Sequence, residues 1–500
     1  MGTISLPIWF VVIAAILAAI GLTDRLLMPG VRWFFRRRAN KAIELLNTKL
    51  SLKIQPFKLT KRQGLIDALM FDPEVIKAVE EEAEQSGSPR QVVLDKARTY
   101  ANEVVPAFSH YTYFRIGTRL ARKLSQMLYR VRLGNSNDNA LAGIDPNSTV
   151  VFVMNHRSNM DYVLVTYMAA TSSALSYAVG EWARVWALQS LIRAMGAYFV
   201  RRYSTGNSLY RKVLARYVHM ATLAGVTQAV FPEGGLSKDG KLKPPKFGLL
   251  SYMIGGFDPE GERDVVFVPV GLNYDRVLED RVLTSSASAK EGEKPRFKFN
   301  PGVLMGFLGR SIVQAFKGKW FRYGYACVSF GKPVSMRQYL AENKLDFRSM
   351  KPKKLHLEME KLGGQLMDEV GRAVPALPTS LVASVLLSDE MKPMSFFEVK
   401  TKVFNLINQF EEAGVYVHVP RDDHDYLVEV GLRMLTLRHL VLVAGDSYRV
   451  SPKERDLVAY YANGIAHQME RISDPKKQPG SGQSDKSQTV TVKQAVAQSK

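Results

Sequence analysis

The chain of 500 residues has almost no cysteine. Cys327 stands alone, so no internal disulfide can form. No group of Cys and His residues has zinc-ligand spacing, which makes a reducing compartment and no structural metal the default expectation. Acids are also short, with 47 Asp and Glu against 68 Lys and Arg. The resulting formal charge of +21 excludes a cationic partner as the main target and leaves nucleic acid, an acidic membrane surface or a phosphorylated small molecule. There is no internal repeat, no GxxxxGK[ST] phosphate loop, and no Ser or Cys in a nucleophile-elbow setting.

One long apolar run is present, "ISLPIWFVVIAAILAAIGL" from Ile4 to Leu22. It is uncharged and about as long as the roughly 20 residues that cross a bilayer core. Basic residues follow it (Arg25, Arg32, Arg36, Arg37, Arg38, Lys41), which by the positive-inside rule places the body of the chain on the cytoplasmic side. A buried core helix, or a segment bent at Pro7 that enters one leaflet, would read the same way.

Five segments are expected: an anchor at 1–39, a helical region at 40–140, an α/β domain at 141–376, a smaller helix-rich domain at 377–473 and a disordered tail at 474–500. In the helical region, "FDPEVIKAVEEEAEQSG" carries Asp72 and Pro73 at a helix start and Gly87 at its end. The segment from Arg90 to Arg132 reads as helical, with alternating apolar and basic groups suited to packing or to a membrane face. From Asp145 the texture becomes short apolar runs, "STVVFVMN", "VTQAVFPEGG", "DVVFVPVGLNY" and "YACVSFGKPV", separated by helical stretches. These predict a buried mixed sheet flanked by helices. Pro375 and Pro378 suggest a linker, and "HLVLVAGDSYRV" a hairpin turning at Gly445 and Asp446.

Two histidines precede an aspartate by five positions, His156 with Asp161 in "NHRSNMDYVL" and His418 with Asp423 in "HVPRDD". Residues five apart on a helix lie about 140° apart, so the pair can meet only if the histidine sits in a loop before the helix. The first copy offers that setting: a strand ends at Met154, Ser158 or Asn159 can cap, and Asp161 falls in the first turn. There the carboxylate can hold Nδ1 and leave Nε2 to take a proton. In the second copy Pro420 interrupts the start, so it reads as structural.

Two more stretches could hold an anion. "FPEGGLSKDGK" puts Gly234 and Gly235 after a strand and adds Ser237, Lys238, Lys241 and Lys243. "GAYFVRRYSTGN" places Arg201 and Arg202 at the end of an apolar run.

These stretches, in this order, resemble the motifs of the glycerolipid acyltransferases, and most nearly those of the bacterial-type membrane-bound glycerol-3-phosphate 1-O-acyltransferase family with its HX4D motif. The first motif falls on His156 and Asp161 with Arg157 and Ser158; the second on Gly196, Phe199 and Arg202; the third on Phe231, Glu233, Gly234 and Ser237; the fourth, "FVPVGLNYDRV", centres on Pro269. The likeness continues through "GNSLYRKVLARYV", "SFGKP" and "YYANGIAH", from about residue 40 to 470. Leu236 departs from it, standing where arginine is usual.

The resemblance implies the glycerolipid acyltransferase fold and transfer of a fatty acyl group from acyl-CoA or acyl-carrier protein to the sn-1 hydroxyl of glycerol 3-phosphate. His156 and Asp161 would be catalytic. Arg157, Ser158, Arg201, Arg202, Glu233, Gly234, Gly235, Ser237 and Lys238 would bind substrate. No metal and no cofactor beyond the donor is implied. Membrane phospholipids would be partners, nucleic acid would not, and the protein would sit on the inner membrane facing the cytoplasm. Dihydroxyacetone phosphate or 1-acylglycerol 3-phosphate are the alternative acceptors. A membrane-tethered nucleic-acid-binding or adaptor protein is the non-enzyme alternative.

Overall fold

The computed structural model describes residues 55–136, 143–169, 175–180, 186–201, 206–288, 323–389 and 392–473. The run Ile4 to Leu22, Arg202 and the tail from Asp474 lie outside them. No helix among the described residues is long and apolar enough to cross a membrane.

An eight-stranded mixed sheet forms the centre. Its strands are β1 (Arg130–Ser136), β2 (Thr149–Met154), β3 (Ser176–Val179), β4 (Tyr198–Phe199), β5 (Gln228–Val230), β6 (Val265–Tyr274), β7 (Tyr325–Phe330) and β8 (Val334–Ser335). The order is β1-β7-β6-β2-β5-β3-β4, with β8 also on β6. β2 lies parallel between β5 and β6, while β7 and β8 run antiparallel to β6. Every residue of β2 and β6 is buried, as their continuous apolar runs require when both faces are covered. Alternate side chains feed two cores: Val151 and Val153 enter one, Val150, Phe152 and Met154 the other. Pro269, which cannot donate to a ladder, falls between the stretches of β6 paired by β7 and by β8.

The first core joins the sheet to the helices α1 (Arg62–Met70), α2 (Pro73–Ser86) and α3 (Arg90–Val104). α2 starts where expected, with the Asp72 carboxylate accepting from the Glu74 N–H at 3.0 Å, and ends at Gly87 with φ of 63°. The expected helix from Arg90 to Arg132 is broken into α3, a π-helix (Thr112–Gly117), α4 (Thr118–Leu128) and then β1. β1 does not stand out in the sequence because the alternation of Arg130, Val131, Arg132 and Leu133 is brief and follows directly on a helical pattern; charge on alternate residues suits the edge strand they form.

The second core joins the opposite face to α5 (Met160–Ala169) and to the C-terminal helices. The expected linker is not one: Val374 to Ser380 are all buried, and Pro378 opens a helix (Pro378–Ser388) sunk in that core. The expected hairpin is present as β10 (Val441–Ala444) and β11 (Ser447–Val450), joined on its other side by β9 (Met394–Ser395). C-terminal residues therefore pack directly behind the loops at the ends of β2 and β6.

Candidate active site

β2 is extended one step beyond Met154 by the Asn155 side chain, which bonds the Leu272 carbonyl at 2.9 Å and the Leu272 N–H at 2.8 Å. The chain then leaves the sheet, and His156 occupies the loop before α5. Its Nδ1 lies 2.9 Å from Asp161 Oδ2. The same carboxylate accepts the N–H groups of Arg157 (2.7 Å) and Ser158 (3.0 Å) and the Tyr274 hydroxyl (2.6 Å, to Oδ1). Surrounded by four donors, Asp161 is fully buried and acts as an acceptor at every contact. In the neutral imidazole, Nδ1–H donating to this carboxylate leaves the lone pair on Nε2. The imidazole lies against Phe231, with ring centres 4.2 Å apart, and edge-on to Tyr162 at 5.5 Å.

Glu233 closes the loop from the other side. Its Oε1 accepts the His156 N–H at 2.8 Å and its Oε2 the Lys243 N–H at 3.3 Å, while burial pushes its pKa up to about 6. Ser237 N–H donates to the His156 carbonyl at 3.0 Å, tying the glycine loop to the turn that carries His156. Gly234 has φ of +67°, and a Cβ there would come within 2.8 Å of the Lys246 side chain that crosses it. Lys238 is exposed beside Ser237. Lys243 is half-buried, with its ammonium bonded to the Leu236 carbonyl at 2.7 Å and its pKa lowered by burial. Leu236 itself packs on the core. The Ser237 hydroxyl donates to the Lys241 carbonyl at 2.8 Å.

Three of the residues expected at the substrate hold partners within the protein. The Arg157 guanidinium is buried and donates to the Gly464 carbonyl at 2.8 Å. The Arg201 guanidinium forms a two-pronged ion pair with Glu103 (2.9 and 2.6 Å), stacked near Tyr100 and Tyr210, and so fastens β4 to α3. The Ser158 hydroxyl donates to Glu279 at 2.7 Å. The helix-start N–H groups, candidates for stabilising an oxyanion, are spent as well: from His156 to Asp161 each donates to Glu233, Asp161, Glu279 or Ser158. Gly234 N–H is taken by the Phe231 carbonyl, whereas Gly235 N–H donates to no described residue.

Sequence reasoning missed Tyr274 and Glu279. Glu279 accepts from Ser158, from the Asn159 N–H (3.2 Å) and from the Asn159 amide (3.1 Å), so it caps α5; burial raises its pKa. Strand register explains the place of Tyr274. Met154 pairs with Val270, so β6 runs four residues further and carries Tyr274 over the loop after β2. No histidine, cysteine or acid cluster among the described residues could hold a metal. A cavity of about 240 Å³ lined by Phe57, Lys58, Phe108 and Tyr217 shares no residue with the dyad's loops.

Comparison with known proteins shows what the chain is similar to. An acyltransferase family model matches residues 134–273, and a model of the glycerol-3-phosphate acyltransferase C-terminal region matches 311–470. The glycerol-3-phosphate acyltransferases of Pseudoalteromonas atlantica and Shewanella pealeana are each 28% identical to this chain, over 424 and 426 residues, and that of Aeromonas hydrophila 26% over 419. Each alignment covers 82% of this chain and 50 or 51% of the relative. The chain thus spans about half the length of the curated relatives it matches. A solved structure of a 1-acyl-sn-glycerophosphate acyltransferase from Thermotoga maritima aligns with 61% of this chain and 97% of its own at 15% identity, with a TM-score of 0.28, too loose a fit to carry detail. An acyltransferase domain followed by that C-terminal region, and likeness to named glycerol-3-phosphate acyltransferases along 82% of its length, are what this chain shares with those enzymes.

Proposed function

We propose that the chain transfers a fatty acyl group from a thioester, acyl-CoA or acyl-carrier protein, to the 1-hydroxyl of sn-glycerol 3-phosphate. The observation that carries this reading is the His156 and Asp161 pair at the mouth of β2, with Nδ1 bound to the acid at 2.9 Å. An alcohol is a weak nucleophile at neutral pH and needs a base in hydrogen-bond reach. His156 Nε2 takes the hydroxyl proton as the oxygen attacks the thioester carbonyl. Asp161 stabilises the imidazolium that forms. The tetrahedral oxyanion collapses with cleavage of the C–S bond, and the imidazolium returns its proton to the departing thiolate. No acyl-enzyme and no cofactor beyond the donor is needed.

With Arg157 and Arg201 committed elsewhere, the phosphate falls to the glycine loop. Lys238 and Lys246 are exposed on it and Lys243 lies beneath, on a loop bonded to the His156 carbonyl. Gly235 N–H is the donor we assign to the oxyanion. Lysine supplies a point charge where the family commonly uses a forked guanidinium, which fits Leu236 in arginine's place.

The protein works on the cytoplasmic face of an inner membrane in this reading. Between Val104 and Asn137 the sequence has no acid and six bases. The π-helix and α4 turn Tyr111, Ile116 and Leu120 outward among Arg115, Arg119 and Lys123. Apolar and basic groups on one face suit an anionic lipid surface. α4 is tied to α5 by a bond from Gln126 to the Tyr167 hydroxyl at 3.1 Å, so lipid would lie close to the dyad's helix.

The test is purified full chain in phospholipid, with labelled glycerol 3-phosphate and either donor. The expected product is labelled 1-acylglycerol 3-phosphate. Acylation of dihydroxyacetone phosphate or of 1-acylglycerol 3-phosphate alone would overturn the acceptor assignment, and no acyl transfer to any of them would overturn the reading itself.

A further inference from the structure

One turn near the C-terminus touches three segments around His156: its own loop, the glycine loop and the stretch from Val277 to Asp280. The Gly464 carbonyl accepts from Arg157 at 2.8 Å, and the Tyr460 hydroxyl meets the Arg157 carbonyl at 3.4 Å. Asn463 donates to the Asp239 carbonyl of the glycine loop at 2.8 Å. Gly240 of that loop, with φ of +85°, lies so close that a Cβ would fall 1.9 Å from the Tyr460 carbonyl oxygen. The Tyr461 hydroxyl bonds Asp280 and accepts the Val277 N–H at 3.2 Å, holding the segment that carries Glu279. Arg438 adds an ion pair to Asp280 at 2.7 Å.

Arg157 is only 3% exposed. A phosphate could reach its guanidinium only if the 460–464 turn moved away. A buried guanidinium also needs acceptors of its own, and here a main-chain carbonyl 307 residues away supplies one.

We infer that Arg157 is a positioning residue: it fastens the loop bearing His156 to the C-terminal turn at Gly464, and does not bind the substrate phosphate. The C-terminal region is then a brace that sets the dyad's geometry, and the site is incomplete without it. This rests on the acyl-transfer reading. It departs from what residue type suggests, since an arginine next to a catalytic histidine would ordinarily be assigned to the phosphate.

Gly464 separates the two roles, because it can disturb Arg157 without touching its charge. A Cβ at Gly464 would lie 3.0 and 3.1 Å from the two terminal guanidinium nitrogens and 2.9 Å from the Tyr461 carbonyl oxygen. The experiment measures kcat and KM for glycerol 3-phosphate in the full chain carrying Arg157→Lys, Gly464→Ala or both. A brace predicts that each single change lowers kcat by about tenfold to a hundredfold with KM within about twofold, as for a misplaced catalytic group. The double variant should then be no worse than the weaker single one, because both break one contact. If Arg157→Lys raises KM about tenfold or more at unchanged kcat while Gly464→Ala is silent, Arg157 is a phosphate ligand and the inference is wrong. If Gly464→Ala does not fold, Asn463→Ala, at an exposed bond of the same turn, takes its place: a fall in kcat alone supports the brace, and wild-type kinetics overturns it. Absence of acyl transfer in the unmutated chain is a separate result, and would fail the underlying reading instead.

Discussion

At His156 the aspartate five residues on accepts from the imidazole at 2.9 Å; at His418 the aspartate five residues on, Asp423, accepts instead from the Tyr426 N–H at 3.0 Å and caps a helix. The His418 ring packs edge-on to Tyr325, 4.6 Å between centres, and burial, helped by Arg132, lowers its pKa to about 4. Spacing is the same in both, so the intervening residues decide. Between His156 and Asp161 the N–H groups of Arg157 and Ser158 turn inward to the carboxylate, and the loop folds around it. Between His418 and Asp423, Pro420 opens a short 3-10 turn in which Arg421 and Asp422 take φ of 61° and 54°. That turn carries Asp423 to the start of its own helix. In this chain the histidine and the acid pair where the residues between them turn their N–H groups onto the carboxylate.

The largest contrast should come from the acids. Asp161→Asn puts an amide among four donors, and turnover should fall by about 10²–10⁴-fold with about 1–3 kcal/mol lost in stability. Asp423→Asn keeps an equally good cap and should stay within about 0.5 kcal/mol. Steady-state kinetics and thermal melts of the two variants check both halves.

Titration sharpens the comparison, because two buried groups should shift stability in opposite senses. His418 has a folded pKa of about 4 against an ordinary 6.5, so its contribution is present above 6.5 and is lost as pH falls toward 4, by about 3 kcal/mol. Glu233 is raised from 4.5 to about 6, so burying it costs nothing below 4.5 and about 2 kcal/mol above 6. Stability followed from pH 4 to 7 should therefore fall toward acid less in His418→Phe, and fall toward neutrality less in Glu233→Gln, than in the parent chain. Curves parallel to the parent's would contradict both assignments.

A smaller effect separates the two tyrosines. Tyr274→Phe leaves Asp161 Oδ1 without its hydroxyl donor, and should cost about 1–3 kcal/mol with a fall in kcat less severe than that of Asp161→Asn. Tyr325→Phe keeps the ring against His418 but removes the hydroxyl that accepts from Arg130 at 3.3 Å, and should cost about 0.5–1.5 kcal/mol with kcat unchanged. Denaturant melts paired with kinetics distinguish them.

Much of this was legible in the sequence where local chemistry decides. Unbroken apolar runs gave away β2, β5, β6 and β7, and Asp72, Gly87 and Gly445 marked the ends they were read to mark. β3, β4 and β8 were too short to show a period, and β1 carried charge. In the site, His156 and Asp161 are five residues apart and could be read together. Tyr274 lies 113 residues from Asp161, Glu279 121 from Ser158 and Gly464 307 from Arg157. Such partners are set by strand order and by which helices close the second core, neither of which a local pattern encodes. The arginines' partners were hidden for the same reason: residue type suggested a phosphate, while the bonds of Arg157 to Gly464 and of Arg201 to Glu103 depend on long-range packing.

The most direct test sets His156→Ala beside His418→Ala in one assay, conversion of labelled glycerol 3-phosphate to acylglycerol phosphate by the full chain in phospholipid, with melts to confirm folding. His156→Ala should lose about 10²–10⁴-fold in turnover while folded, and His418→Ala should keep turnover within about threefold of the parent. Wild-type turnover in folded His156→Ala, or equal losses in both folded variants, would contradict the account.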